Sequence, residues 1–231
     1  MNLLALDTST ECCSAALLCG AELIERSEIA PRRHAELILP MIDGLLAEAG
    51  ISRRRLDGIA VGRGPGAFTG VRLAISLAQG LALGLDVPVV PVSSLAALAQ
   101  DVPAQTAQDT AILAVIDARM GEVYAGAYRR VGGVVEPLGG EHVGPAARLE
   151  LPQSTQWCIA GSGWDAYREA LAARLPHAPR WADGARFPQA RAVVRLAAPQ
   201  FEAGRGVSPE YALPVYLRDK VALTLDEQRA R

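Results

Sequence analysis

Lysine is almost missing from this sequence of 231 residues: of 23 basic residues only Lys220 is lysine, and the rest are arginine. A Walker P-loop needs Gly-Lys-[Ser/Thr], yet Lys220 is followed by Val221 in no glycine-rich setting, which excludes that nucleotide-binding class. A lysine Schiff base or a Ser-x-x-Lys dyad would rest on the same residue. Histidine is equally scarce. His34, His142 and His177 stand in three unrelated contexts with no HxxH, HxxxH or HExxH spacing, so a metal hydrolase is excluded and no metal is expected in this chain. Cys12, Cys13, Cys19 and Cys158 form no CxxC pair. Adjacent Cys12 and Cys13 point to opposite faces of a strand, as small buried hydrophobes of a reducing compartment would. Charge of one sign is also lacking. The balance of 23 basic against 25 acidic residues leaves −2, with no cationic footprint for unaided nucleic-acid binding. The apolar start of the chain has no basic region before it, and no apolar run approaches about 18 residues, so a cytoplasmic protein without signal peptide or membrane span is expected.

What is present is globular: 50% apolar residues and 22 glycines, in a length that suits one large domain or two small ones. Leu3-Leu4-Ala5-Leu6 reads as a buried strand that delivers Asp7-Thr8-Ser9-Thr10 to its C-terminal end, where ligands usually sit. A hairpin over 13–18 and 23–29 follows, then a helix over 34–49, a strand over 58–61, a Gly-rich turn, a helix over 69–83 and a strand over 87–90. The polar stretch 100–109 marks a boundary. Beyond it the strand–Asp–hairpin pattern restarts, with 111–116 ending in Asp117 and 122–128 pairing back. The expected architecture is mixed α/β in two lobes: residues 1–100, residues 107–205, and a tail over 206–231 whose docking is open.

The strongest local signal is Gly62-Arg63-Gly64-Pro65-Gly66-Ala67-Phe68-Thr69-Gly70 between a strand and a helix. Its glycines permit close backbone approach, Thr69 is a candidate helix cap, and the helix start is a ready anion site. Candidate anion or nucleotide contacts are therefore Asp7, Thr8, Ser9, Gly64, Gly66 and Thr69; a tight connector without ligand is the alternative. The two long helices have apolar arcs wider than one sheet face requires. A second seam, His34, Leu37, Ile38, Met41 and Leu45 on one helix with Val71, Ala74, Ile75, Ala78 and Ala82 on the other, is expected to meet a partner subunit. Catalytic candidates do not assemble. Gly161-Ser162-Gly163 is too short for a nucleophile elbow, and neither Asp7 nor Asp117 is followed by phosphate-cradling glycines.

Gly64-Pro65-Gly66-Ala67-Phe68-Thr69-Gly70-Val71-Arg72 resembles the TsaB (YeaZ) family. Leu6-Asp7-Thr8-Ser9-Thr10, Arg33-His34-Ala35-Glu36 with Leu39-Pro40, Asp117-Ala118-Arg119 with Glu122-Val123-Tyr124, and Pro214-Val215-Tyr216-Leu217-Arg218 extend the resemblance over nearly the whole chain. It implies an actin-like ATPase (ASKHA) fold of two lobes, each with a mixed sheet and flanking helices. It also implies a non-catalytic subunit that binds and activates TsaD, joined by TsaE, in threonylcarbamoyl transfer to adenosine 37 of tRNAs reading codons that begin with A. Catalytic residues and cofactors would be absent from this chain, ATP and metal would sit on the partner subunits, and tRNA would be met only through the complex. Alone, the chain would form a homodimer through the same helices. Two other classes stand beside this one: a glycoprotease-like peptidase acting on its partner, and a stand-alone kinase of the same fold.

Overall fold

The computed structural model describes residues 1–107 and 109–218. Residues 219–231, which hold half of the expected tail, lie outside the described residues.

The first sheet is built from β1 (Asn2–Asp7), β2 (Cys12–Cys19), β3 (Glu22–Ile29), β4 (Gly58–Gly62) and β5 (Val89–Val92), in the order β3-β2-β1-β4-β5. β1 runs antiparallel to β2 and parallel to β4, and β4 runs parallel to β5. β1 is buried on both faces, which is why it reads as an unbroken apolar run. With the two-residue period of a strand, Leu4 and Leu6 face one layer while Leu3 and Ala5 face the other. The outer layer is α1 (His34–Glu48) and α2 (Phe68–Leu85), which seat Ile38, Ile42, Leu45, Val71, Ala74 and Ala78 on Leu4 and Leu6.

The second sheet contains β6 (Ala111–Arg119), β7 (Glu122–Val131), β8 (Val134–Pro137), β9 (His142–Pro145), β10 (Trp157–Ala160) and β11 (Trp181–Asp183). Its order is β11-β10-β6-β7-β8, with β9 also on β7. From the other edge this becomes β8-β7-β6-β10-β11, which reproduces the first sheet strand for strand. Here too the antiparallel hairpin is followed by parallel partners. The duplication read from the two strand–Asp–hairpin patterns is thus present in the topology. α4 (Ser162–Ala166) and α5 (Arg168–Ala172) cover its outer face through Trp164 and Leu171.

Between the sheets lie α3 (Ser94–Gln100) and α6 (Ala190–Glu202). They correct the expected division at 100/107, because each helix packs on the sheet of the other half. α6 belongs by sequence to 107–205 but crosses the first sheet: the Ala190 amide donates to Ser14 Oγ at 2.9 Å and the Arg191 amide to Glu25 Oε1 at 3.0 Å. α3, absent from the sequence reading, sits on the second sheet, where Gln100 Oε1 accepts from the Val135 amide at 2.8 Å and Gln100 Nε2 donates to Gly133 O at 2.9 Å. Residues of both sheets share one central core, Leu3 and Ala5 with Ile112 and Ala114.

Two smaller expectations also change. β5 lies two residues later than the strand read at 87–90, since the Val87 amide still donates to Ala82 O of α2 at 3.1 Å and Pro88 has no amide hydrogen to give. α2 is, by length and composition, long and apolar enough to cross a membrane, contrary to the expected lack of such a run; its Val71, Ala74, Ala78 and Ala82 pack into the core of the first sheet.

Candidate functional site

Two regions were singled out by sequence: the end of β1 facing the Gly-rich turn, and the outer surface of α1 and α2. In the first, Asp7 is fully buried. Its Oδ1 accepts from the Ser9 amide at 2.9 Å and the Ser9 hydroxyl at 2.7 Å, and its Oδ2 from Ser94 Oγ at 3.4 Å. Burial raises the carboxyl pKa above its ordinary value, and the Ser9 and Ser94 hydrogen bonds offset part of that rise.

The Gly-rich turn lies directly on this loop. A Cβ on Gly66 would meet Ser9 O at 2.2 Å, and one on Gly70 would meet Thr8 O at 2.0 Å. The Ala67 amide donates to Ser9 O at 2.7 Å, and Thr8 Oγ1 donates to Gly70 O at 2.6 Å. The glycines therefore serve close backbone packing, and Ser9, Gly66 and Ala67 also line the cleft beside them. Among the expected anion contacts, Asp7, Thr8, Ser9 and Gly64 are buried, Gly66 is half-buried, and Thr69 is exposed. Thr69 is not the cap: Ala67 holds the N-cap position, without a side-chain hydrogen bond.

Beside this closed loop a cleft of about 370 Å³ remains between the two sheets, lined by Thr10, Glu11, Arg32, His34, Asp117 and Arg119 among others. Arg119 spans it, with Asp117 at 3.0 Å and Glu11 at 3.3 Å, and Tyr167 donates to Asp117 at 3.0 Å. Its carboxylates are engaged by guanidinium or hydroxyl. No Ser–His pair is among its hydrogen bonds, although Thr10 Oγ1 and His34 Nε2 are buried without a partner. The nearest thiols offer no nucleophile either, because burial first, and then the Asp7 charge, pushes Cys12 up to about 12 and Cys13 to about 11.

The second region needs a correction of side. Ile38, Met41, Leu45, Val71, Ala74, Ile75, Ala78 and Ala82, expected to face a partner, are buried in the core of their own chain against the first sheet. The physical reason is that α1 lies on β2 and β3 while α2 lies on β1, β4 and β5 and also meets the turn at Pro209–Tyr211, so these side chains enter the core shared with the first sheet. His34 and Leu37 are the expected interface residues that stay half-exposed. The open surface instead presents Leu39 at 46% and Leu83 at 75% exposure, with Leu73, Leu77 and Leu81 half-buried at its flank. Arg72, Ser76, Gly80 and Gly84 run along it every four residues, and nothing lies within 4 Å of a Cβ built on Gly80 or Gly84. The spacing of these two glycines was available in the sequence as a signal of an outward face. At the start of α2 Phe68 is half exposed, the Arg72 guanidinium lies 3.7 Å from its ring centroid, and Arg72 Nε donates to the Tyr216 hydroxyl at 2.6 Å. Tyr216 belongs to a strap held by the Val215 amide on Arg63 O at 2.9 Å, a neighbour that local sequence could not assign.

Two sheets of identical strand order, each opened by a hairpin and together enclosing α3 and α6, define an actin-like ATPase (ASKHA) architecture. Comparisons specify the family. Residues 25–224 match the model of the family described as TsaD, tRNA N6-adenosine threonylcarbamoyltransferase. The chain is 39% identical over 230 residues to the Escherichia coli K12 tRNA threonylcarbamoyladenosine biosynthesis protein TsaB, covering 96% of each chain. It is 37% identical to the Haemophilus influenzae protein of the same name, covering 96% of this chain and 95% of the other. The solved structure of YeaZ from Pseudomonas aeruginosa superposes with a TM-score of 0.85 at 47% identity, covering 94% of this chain and 99% of that one. The chain belongs to the TsaB (YeaZ) family of tRNA threonylcarbamoyladenosine biosynthesis proteins.

Proposed function

We propose that the chain is the non-catalytic partner subunit that binds and activates TsaD, with TsaE, in threonylcarbamoyl transfer to adenosine 37 of tRNA. The observation that carries this reading is the outward face of α1 and α2. Leu39 is exposed on α1 and Leu83 on α2, where Gly80 and Gly84 have open space in place of any internal packing. Glycine in a helix interior costs about 1 kcal/mol relative to alanine, so Gly80, followed by Gly84 in the last turn and with no partner for either inside the chain, fits a second helix that approaches closely from outside. ATP and metal then belong to the partner subunits, tRNA is met through the complex, and the chain alone pairs with a second copy through the same face. The place of action is the cytoplasm.

The test is reconstitution with TsaD and TsaE of the same organism, ATP, tRNA and threonylcarbamoyl-adenylate, omitting each component in turn. Modification that requires this chain, with no ATP or peptide turnover by the chain alone, is the expected result. Modification that survives its omission, or turnover by the chain unaided, overturns the proposal.

A further inference from the structure

Between α1 and β4 the chain makes one short 3-10 turn, Arg53–Arg55, and all three residues are exposed. The fold does not need these side chains. The turn is closed by main-chain bonds, the Arg55 amide to Ser52 O at 2.9 Å and the Leu56 amide to Arg53 O at 3.1 Å, and it is anchored by the buried Leu56. Asn2 Nδ2 adds a bond to Arg55 O at 2.8 Å. Only Arg53 has a carboxylate partner, Asp43; Arg54 and Arg55 have none among the described residues. In a chain of net charge −2, this is a local concentration of unneutralised positive charge on a turn whose geometry is set by its backbone.

Guanidinium groups in this state suit phosphodiester oxygens, which accept bidentate hydrogen bonds and release condensed counterions when neutralised. We propose that Arg53, Arg54 and Arg55 form a contact to the phosphate backbone of tRNA within the assembled modification complex. The inference rests on the reading given under Proposed function and adds to it a surface of this chain that touches the nucleic acid. An acidic protein surface is the competing occupant. The backbone reading is favoured because tRNA is the polyanion of the proposed reaction, and Arg54 and Arg55 present charge that no carboxylate among the described residues answers.

The experiment uses the complete complex, with wild-type chain or the double variant Arg54→Ala/Arg55→Ala, and measures tRNA affinity by fluorescence anisotropy over a range of salt concentrations. Complex assembly is followed separately by size-exclusion chromatography with light scattering. The expected result is unchanged assembly, weaker tRNA binding at low salt, and a log–log salt slope shallower by about 1.4–1.8 for the two lost phosphate contacts. An unchanged slope and affinity would overturn the proposal. Impaired assembly with unaltered tRNA affinity of the residual complex would also overturn it, in favour of a protein contact. Failure of the wild-type chain to join the complex at all would instead refute the functional reading on which the inference rests.

Discussion

The carboxylate of Asp7 occupies the space that a side chain at residue 62 would need: a Cβ on Gly62 would stand 1.9 Å from Asp7 Oδ2. β1 and β4 are parallel neighbours, and the end of β4 passes under the carboxylate with no room to spare. Gly62→Ala is expected to destabilise the chain by about 1–3 kcal/mol through overpacking. A denaturant midpoint indistinguishable from wild type would refute this contact.

The same carboxylate makes stability depend on pH in a defined direction. Its folded-state pKa lies above the ordinary 3.8, so between those two values the folded chain binds more protons than the unfolded one and stability falls as pH rises. Above the folded value the cost of the buried charge is fully present. Asp7→Asn keeps an acceptor for Ser9 and removes the charge, and is expected to melt higher than wild type at pH 8, with a smaller advantage at pH 5. Thermal melts at the two pH values check this, and a variant that melts lower at pH 8 contradicts it.

Gly80 and Gly84 separate stability from assembly. Each has open space at Cβ, Gly80 in the interior of α2 and Gly84 in its last turn, so Gly80→Ala should stabilise the lone chain by about 0.5–1 kcal/mol and Gly84→Ala by less. On the proposed partner face, the added methyls should weaken TsaD binding. Calorimetric titration beside melting curves tests both parts, and tighter binding by the stabilised variants would place the partner elsewhere.

Leu83→Glu should likewise leave folding intact while impairing assembly, because Leu83 is 75% exposed. Ile38→Asp and Ala78→Glu should unfold the chain, since both sites are buried against the first sheet and would hold an unpaired charge. Circular dichroism separates the two classes of variant. Native-like spectra for Ile38→Asp would restore the inner seam as an interface.

The exchange of α3 and α6 between sheets should make the two halves one folding unit. Arg191, near the start of α6, donates to Asp101 at 2.8 and 2.7 Å and reaches Glu25 of β3 at 3.3 Å, while Arg186 lies 3.2 Å from the same Asp101. Asp101 is well buried and both arginines are about one-third exposed, so Asp101→Ala should cost about 2–4 kcal/mol. Scanning calorimetry should show a single transition for wild type and variant alike. Two separate transitions would mean that the lobes fold independently.

Much of the scaffold is legible in the residues themselves. The apolar run ending at Asp7, its echo ending at Asp117, the hairpins after each and the starts of the two long helices follow from period and turn chemistry, which act over a few residues. α3 escaped because Ser94–Gln100 is short and apolar on nearly all sides, so it shows no helical period. The candidate site was legible as a motif but not in its use. Glycine spacing at 64, 66 and 70 announces close approach, and only the fold says that the approaching group is the main chain of Thr8 and Ser9.

Sequence alone therefore determined the class of protein, the repeated half and the absence of a lysine P-loop or a histidine metal motif, because these depend on residue type and local order. Tertiary structure decided which helix covers which sheet, which seam of α1 and α2 faces outward, and that Gly66 and Gly70 pack on the main chain of Ser9 and Thr8. Those outcomes depend on contacts between segments far apart in the chain, Ser14 with Ala190 and Asp7 with Ser94, whose partners no local pattern names.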